Sequence, residues 1–196
     1  MSFRSDLEGK LREYKLSEYD RPFDGEPEQC VIFVVGSSPA RPLKKPFASY
    51  WPEGGFFQKA MLLEDIRPWG PTRRNIEHVA GEAGYQTTLV TNIWVKDSPR
   101  ENQLLPEHRD TRLFEFLFRR LRPKVVLAHG NEAKDFFEKK CQGVKRNSNS
   151  AHAVSFEEHK FLLVCSRHLS HQMGEDEAKA IGRKLYQALA SANAPS

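Results

Sequence analysis

Cysteine is scarce in this chain: Cys30, Cys141 and Cys165 are the only three among 196 residues. The count is odd and the spacings are wide, which argues against a disulfide framework and for a reducing compartment. Long apolar runs are missing too. None approaches the roughly 20 residues that a membrane-spanning helix needs. The N-terminal stretch MSFRSDLEGKLREYK has no apolar core, so no secretory signal is expected. The expected location is the cytoplasm, with the nucleus left open. Neither sign of charge dominates: 30 Lys and Arg stand against 26 Asp and Glu, a net charge of +4. That mild excess suits an anionic ligand such as nucleic acid, and it suits many enzymes equally. No internal repeat is visible.

What is present is the alternation of an α/β domain. The length fits one domain, which buries roughly 70% of its unfolded surface without help from metals or disulfides. Short, continuous, β-rich apolar runs occur at 30–35 (CVIFVV), 88–95 (TLVTNIWV), 125–129 (VVLAH) and 161–165 (FLLVC). Such runs suit strands buried on both faces of a parallel sheet. Helical spacings lie between them. Leu7, Leu11 and Tyr14 predict a lead-in helix over 5–17, and Asn75 to Ala83 a second one. Phe57, Ala60 and Met61 share a face, as do Leu113, Leu117 and Leu121, then Ala133, Phe136 and Phe137. Ala178, Ile181, Leu185 and Leu189 mark a last helix. Residues 21–28 read as loop, and 141–160 as a loop or a small excursion at the sheet edge. The expectation is one domain over 1–196, with 1–28 as a helical lead-in. Its layers are α/β/α around a central, mostly parallel, four-stranded sheet.

In such sheets ligands bind outside the carboxyl ends of the strands. That rule selects the segments after Val35, Val95, His129 and Cys165. The first is Gly36-Ser37-Ser38-Pro39-Ala40, where glycine lets backbone approach a ligand or simply makes a turn. Ser38 is a poor nucleophile candidate, because the next residue should donate an oxyanion-hole N–H and Pro39 has none. A small-molecule hydrolase on this sheet therefore lacks a nucleophile–base pair. In Cys165-Ser166-Arg167-His168-Leu169-Ser170-His171, the zinc-ligand types Cys165, His168 and His171 match no common zinc spacing. An imidazole acting on a ligand oxygen is the better reading of His168. Asn92 interrupts an apolar strand, which is expensive unless its amide is paired, with backbone or with a ligand. Phe47, Tyr50 and Trp51 lie between Pro46 and Pro52 in a predicted loop, as a satellite core cluster or as a stacking wall for a flat ligand.

Taken in order, these segments resemble the uracil-DNA glycosylase superfamily over about residues 30–190. The matching motifs are GSSPA after the first strand and Phe47 about ten residues on. Then come Thr91-Asn92-Ile93-Trp94-Val95-Lys96 with Pro99, the stretch Pro123 to Ala133, and His168-Leu169-Ser170. The resemblance implies an enzyme that flips a damaged base out of DNA into a tight pocket and hydrolyses its N-glycosidic bond. By resemblance, Phe47 stacks on the base and Asn92 reads its Watson–Crick edge. His168 hydrogen-bonds the carbonyl oxygen that gains charge. Gly36 and the following loop contact the nucleotide. Gln172 or Met173 wedges into the gap. Arg41, Lys44, Lys45, Lys96, Arg100 and Arg167, with Ser170 and Gln172, would meet the DNA at this edge. Arg119, Arg120, Arg122 and Lys124 precede their strand and are expected to be a solvated face at the opposite edge.

Three departures from the pattern bear on activity. Ser37 and Ser38 stand where the family places an acidic or amide residue to position water; serine can orient water but cannot take its proton near neutral pH. Leu169 replaces the proline of the family's H-P-S loop. Iron–sulfur branches need four spaced cysteines, so three imply no cluster. The resemblance thus implies DNA as the partner, no metal or other cofactor, no membrane, and a monomer. The alternative is a catalytically inactive relative that binds nucleic acid or a nucleobase in the same pocket.

Overall fold

The computed structural model describes residues 2–96, 104–148, 150–170 and 172–193. Helix α1 (Phe3–Glu13) is followed by strands β1 (Phe23–Asp24) and β2 (Ile32–Gly36). Then come the helices α2 (Phe47–Tyr50), α3 (Lys59–Asp65) and α4 (Pro71–Ala83). Strand β3 (Thr88–Asn92), helix α5 (Arg112–Leu121), strand β4 (Val125–His129) and helix α6 (Asn131–Lys140) alternate. The hairpin β5 (His152–Phe156) and β6 (His159–Ser166) leads into the long helix α7 (Glu175–Asn193).

The sheet is mixed and has six strands, in the order β1-β3-β2-β4-β6-β5. The four apolar runs form its interior, and all four are parallel. The two extra strands are antiparallel additions at the edges. A four-stranded sheet is therefore too small a description. β1 has only two residues, too few to carry a period, and it lies in a stretch read as loop. β5 lies within 141–160, where Val154 and Phe156 are buried and His152, Ala153 and Ser155 are not. The aromatic stretch at 47–51 also differs from a plain loop, since Phe47–Tyr50 makes one helical turn directly after Pro46. Helix α4 starts earlier than its apolar spacing suggests, with Pro71 in its first turn, where a missing N–H does no harm.

Successive residues along β2 face two different clusters. Phe33 and Val35 pack with Phe114, Phe118 and Phe137 of α5 and α6. Ile32 and Val34 pack with Ile76, Val79, Ile181 and Leu185 of α4 and α7. Phe118 is the hub of the first cluster, its ring centroid 5.0–6.0 Å from those of Phe33, Phe114, Phe137, Phe156 and Phe161. In the second, α7 approaches α4 at Gly182, where a Cβ would come within 2.5 Å of the Val79 carbonyl oxygen.

Buried charges tie the edge strand to α4. Asp24 pairs with Arg73 and lies 3.7 Å from Arg21; Arg73 also pairs with Glu77, and Lys59 lies 3.6 Å from Glu77. Desolvation pushes the Asp24 pKa up, but Arg21 and Arg73 together outweigh it and hold the carboxyl below its ordinary range. Among the described residues no helix is long and apolar enough to cross a membrane.

Truncating the hub, Phe118→Ala, is expected to remove about 3–5 kcal/mol of stability in urea denaturation. A loss below about 1 kcal/mol, the ordinary size for a point change, would show that the packing does not depend on this ring.

Candidate functional site

Parallel strands deliver their carboxyl ends to one edge of the sheet. Gly36 stands opposite Asn92 in the β2–β3 register, and His129 opposite Ser166 in the β4–β6 register. The chain beyond β3 stays tied to the loop beyond β2: the N–H groups of Ile93 and Trp94 donate to the carbonyl oxygens of Gly36 and Ser37 at 3.0 and 2.9 Å. Two candidate segments, GSSPA and TNIWV, are thus held side by side by backbone.

The closest convergence is at Gly36. A Cβ there would lie 2.8 Å from Asn92 Oδ1 and 2.9 Å from His129 Nε2. Real Cβ atoms do not approach other atoms so closely. The two side chains therefore close over a bare α-carbon, and glycine is required by contact rather than by backbone angle. A second glycine works the same edge. Gly130 has φ +83°, open to glycine and unfavourable for other residues, and its position lies 3.1 Å (as a Cβ) from His168 Cδ2. The His129 and His168 rings meet edge to face, 5.4 Å between centroids.

The two imidazoles differ in environment. His168 is exposed at the mouth. His129 is 3% exposed, and its Nδ1 has no hydrogen-bond partner among the described residues. Burial, and to a lesser degree the neighbouring His168, pushes the His129 pKa down to about 3. The site therefore holds a ring that stays neutral at physiological pH. Asn92 is half-buried.

The loop carrying His168 is anchored by its neighbours. Leu169 is fully buried in the α4 and α7 cluster. The Asn75 amide donates to the carbonyl oxygens of Ser170 and Met173 at 3.0 and 3.1 Å, and the Ser170 N–H donates to the His168 carbonyl oxygen at 2.8 Å. Leu169, where the family pattern has proline, thus fixes the loop by burial. Met173 is buried in the same cluster, whereas Gln172 is exposed.

Gly36 and Asn92 are brought together, and His168 joins them through His129, with Ser37 buried and Ser38 half-buried just beyond Gly36. Phe47 is buried among other rings: it is edge-on to Phe23 at 5.1 Å and 6.2 Å from Phe57, and its N–H donates to the Glu18 carbonyl oxygen. Several candidate DNA-binding cations already hold carboxylates. Lys96 bonds Asp20 at 2.7 Å, Lys45 lies 3.1 Å from Asp65, and Arg167 pairs with Glu177 and donates to the Gln172 carbonyl oxygen at 3.1 Å. Arg41 and Lys44 are exposed. At the other end of the strands, Arg119 pairs with Glu115 and Glu157, and Arg120 lies 3.6 Å from Asp6. Pro99, Arg100 and His171 lie outside the described residues. Cys165 is buried in the aromatic cluster, and no group of three His, Cys, Asp or Glu among the described residues could hold a metal ion.

Sequence reasoning missed His129 as a site residue. Its signal was a histidine closing the otherwise apolar run VVLAH, directly before a glycine. Comparison with protein-family models and with curated proteins gave no match.

Two outcomes follow from this geometry. Gly36→Ala is expected to cost about 1–3 kcal/mol in denaturant unfolding through overpacking, although alanine suits a strand better than glycine; an unchanged midpoint would contradict the tight approach. The second concerns pH. An unfolded His129 takes up a proton below about 6.5, whereas the folded ring resists until about 3. The folded state therefore loses stability as pH falls from the first value to the second. His129→Leu should flatten that part of the stability curve, and an unaltered slope would show that the ring titrates normally.

Proposed function

We propose that the chain is a DNA-repair glycosylase of the uracil type, with 1–196 as one uracil-DNA glycosylase-like domain in three layers, α/β/α. It hydrolyses the N-glycosidic bond of uracil or another deaminated base flipped out of DNA. The observation that carries the reading is the convergence of Asn92, His129 and His168 around two glycines at the carboxyl edge of the sheet. That edge is where ligands bind in open α/β folds.

In this reading Asn92 reads the polar edge of the base and Phe47 supplies the aromatic face. His168 donates a hydrogen bond to the base oxygen on which charge collects as the bond breaks. Water adds to the sugar carbon, the bonding pair leaves with the base nitrogen, and the proton that the added water releases to solvent is balanced by the one that the base anion takes up. Ser37 and Ser38 orient the water. Arg41, Lys44, Lys45, Lys96, Arg167, Ser170 and Gln172 meet the strand.

A second reading is a relative without activity that binds nucleic acid or a nucleobase in the same pocket. It is favoured by the sequence at Ser37 and Ser38, which provides no carboxylate to take a proton from water.

The test is a panel of oligonucleotides, single- and double-stranded, carrying uracil, hypoxanthine or xanthine. The enzyme reading predicts base release, cut by roughly a hundredfold or more in His168→Ala or Asn92→Ala, as for the loss of an oxyanion donor. No release at high protein concentration contradicts it. Salt-sensitive DNA binding without release supports the second reading.

A further inference from the structure

We propose that the cleft between β6 and α7 is a binding site for a small amphipathic carboxylate, with the apolar body against Val164, Ala180 and Ile181 and the carboxylate on Arg167. Gly36, Asn92, His129 and His168 do not line this cleft. The inference is independent of the glycosylase reading.

Three features of the chain build the cleft. β5 stops short of the end of β6: His152 faces Leu163, so Val164, Cys165 and Ser166 run on with no paired strand on that side among the described residues. α7 lies close against α4 instead, at Gly182, where a Cβ would stand 2.5 Å from the Val79 carbonyl oxygen and 2.6 Å from Glu82 Cβ. Glu177, Ala180, Ile181 and Lys184 recur at i, i+3, i+4 and i+7 and so form one stripe of α7. That stripe lines the cleft together with Val164 and Arg167. Ala180, in its middle, leaves space that a longer side chain would fill. The cavity measures about 240 Å3.

The lining sets the chemistry of the ligand. Val164 and Ile181 are buried and Ala180 is half-buried, which gives the cleft an apolar floor. Arg167, Glu177 and Lys184 are exposed and form a charged rim. Apolar walls with a few polar groups are the usual make-up of a small-molecule site, and this volume falls just below the roughly 300–1,000 Å3 of sites for drug-sized ligands. Arg167 uses Nε and Nη2 to hold Glu177 and the Gln172 carbonyl oxygen. A guanidinium has five N–H donors. The two on Nη1 have no partner among the described residues. A ligand carboxylate can accept from them in a charge-assisted bond while Glu177 keeps its place. Lys184 adds a second cation to the rim. An ammonium group at the same place would meet like charge.

The test is a nitrogen-15 NMR titration of the full chain with hexanoate and benzoate, an alkyl and an aryl carboxylate, against hexanol and hexylammonium. Either carboxylate should move the backbone amide signals of 164–167 and 177–184 together, saturating at roughly millimolar concentration or below. Hexylammonium should leave them in place. Arg167→Gln should weaken the carboxylate roughly tenfold or more, the size of a lost hydrogen bond between charged groups. The weaker response to hexanol should not change in that variant. Ala180→Leu, which fills the cleft, should abolish the shifts, and Ala180→Val stands in should the leucine variant not fold. Shifts that never saturate, that fall outside these two segments, that hexylammonium reproduces, or that survive in a folded Ala180→Leu protein overturn the proposal. No DNA enters this experiment, so a protein that releases no base removes the glycosylase reading and leaves this result to decide the cleft by itself.

Discussion

At residue 36 there is no room for a side chain. Asn92 from one neighbouring strand and His129 from the other come within 3 Å of the place where a Cβ would stand. Everything distinctive about the carboxyl edge depends on that bare α-carbon. It admits Asn92 and His129 to the same place, and Gly130 lets His168 approach, its ring centroid 5.4 Å from that of His129. Backbone hydrogen bonds from Ile93 and Trp94 to Gly36 and Ser37 keep the first two loops in step.

The rest of the molecule provides the rigidity that such a contact needs. Phenylalanine rings from α5 and α6 pack on one side of the interior strands, and aliphatic residues of α4 and α7 on the other. Strand ends are fixed by close packing, so Asn92 and His129 need no loops of their own to reach Gly36, while His168 comes from a loop held by buried Leu169. The edge also departs from ordinary economy. A buried imidazole with a nitrogen unpaired among the described residues is an unfavourable element, and such departures from local consistency tend to collect at working sites.

Much of this was legible in the residues. The four interior strands follow from short, continuous, β-rich apolar runs, because strands buried on both faces leave no alternation to hide them. β1 is too short to carry a pattern, and β5 mixes polar and apolar residues as an edge strand does. Gly36, Asn92 and His168 stood out because each is anomalous after or within an apolar run. His129 did not, since a histidine closing such a run reads equally well as core. Its importance depends on strand order, which places β4 beside β2, and periodicity does not encode strand order. The carboxylate partners of Lys96, Lys45 and Arg167 were hidden for a similar reason: two of them, Asp20 and Asp65, lie at least 20 residues away in sequence, and only the third, Glu177, is nearer.

Whether the group around Gly36 acts on a base decides what this edge of the sheet is for. The most direct measurement is a time course of uracil release from an oligonucleotide by wild-type protein and by Asn92→Ala. Release by the wild type that falls roughly a hundredfold in the variant, as for a lost oxyanion donor, is the predicted result. Release that is unchanged in a folded Asn92→Ala protein, or absent from both at high concentration, would contradict it.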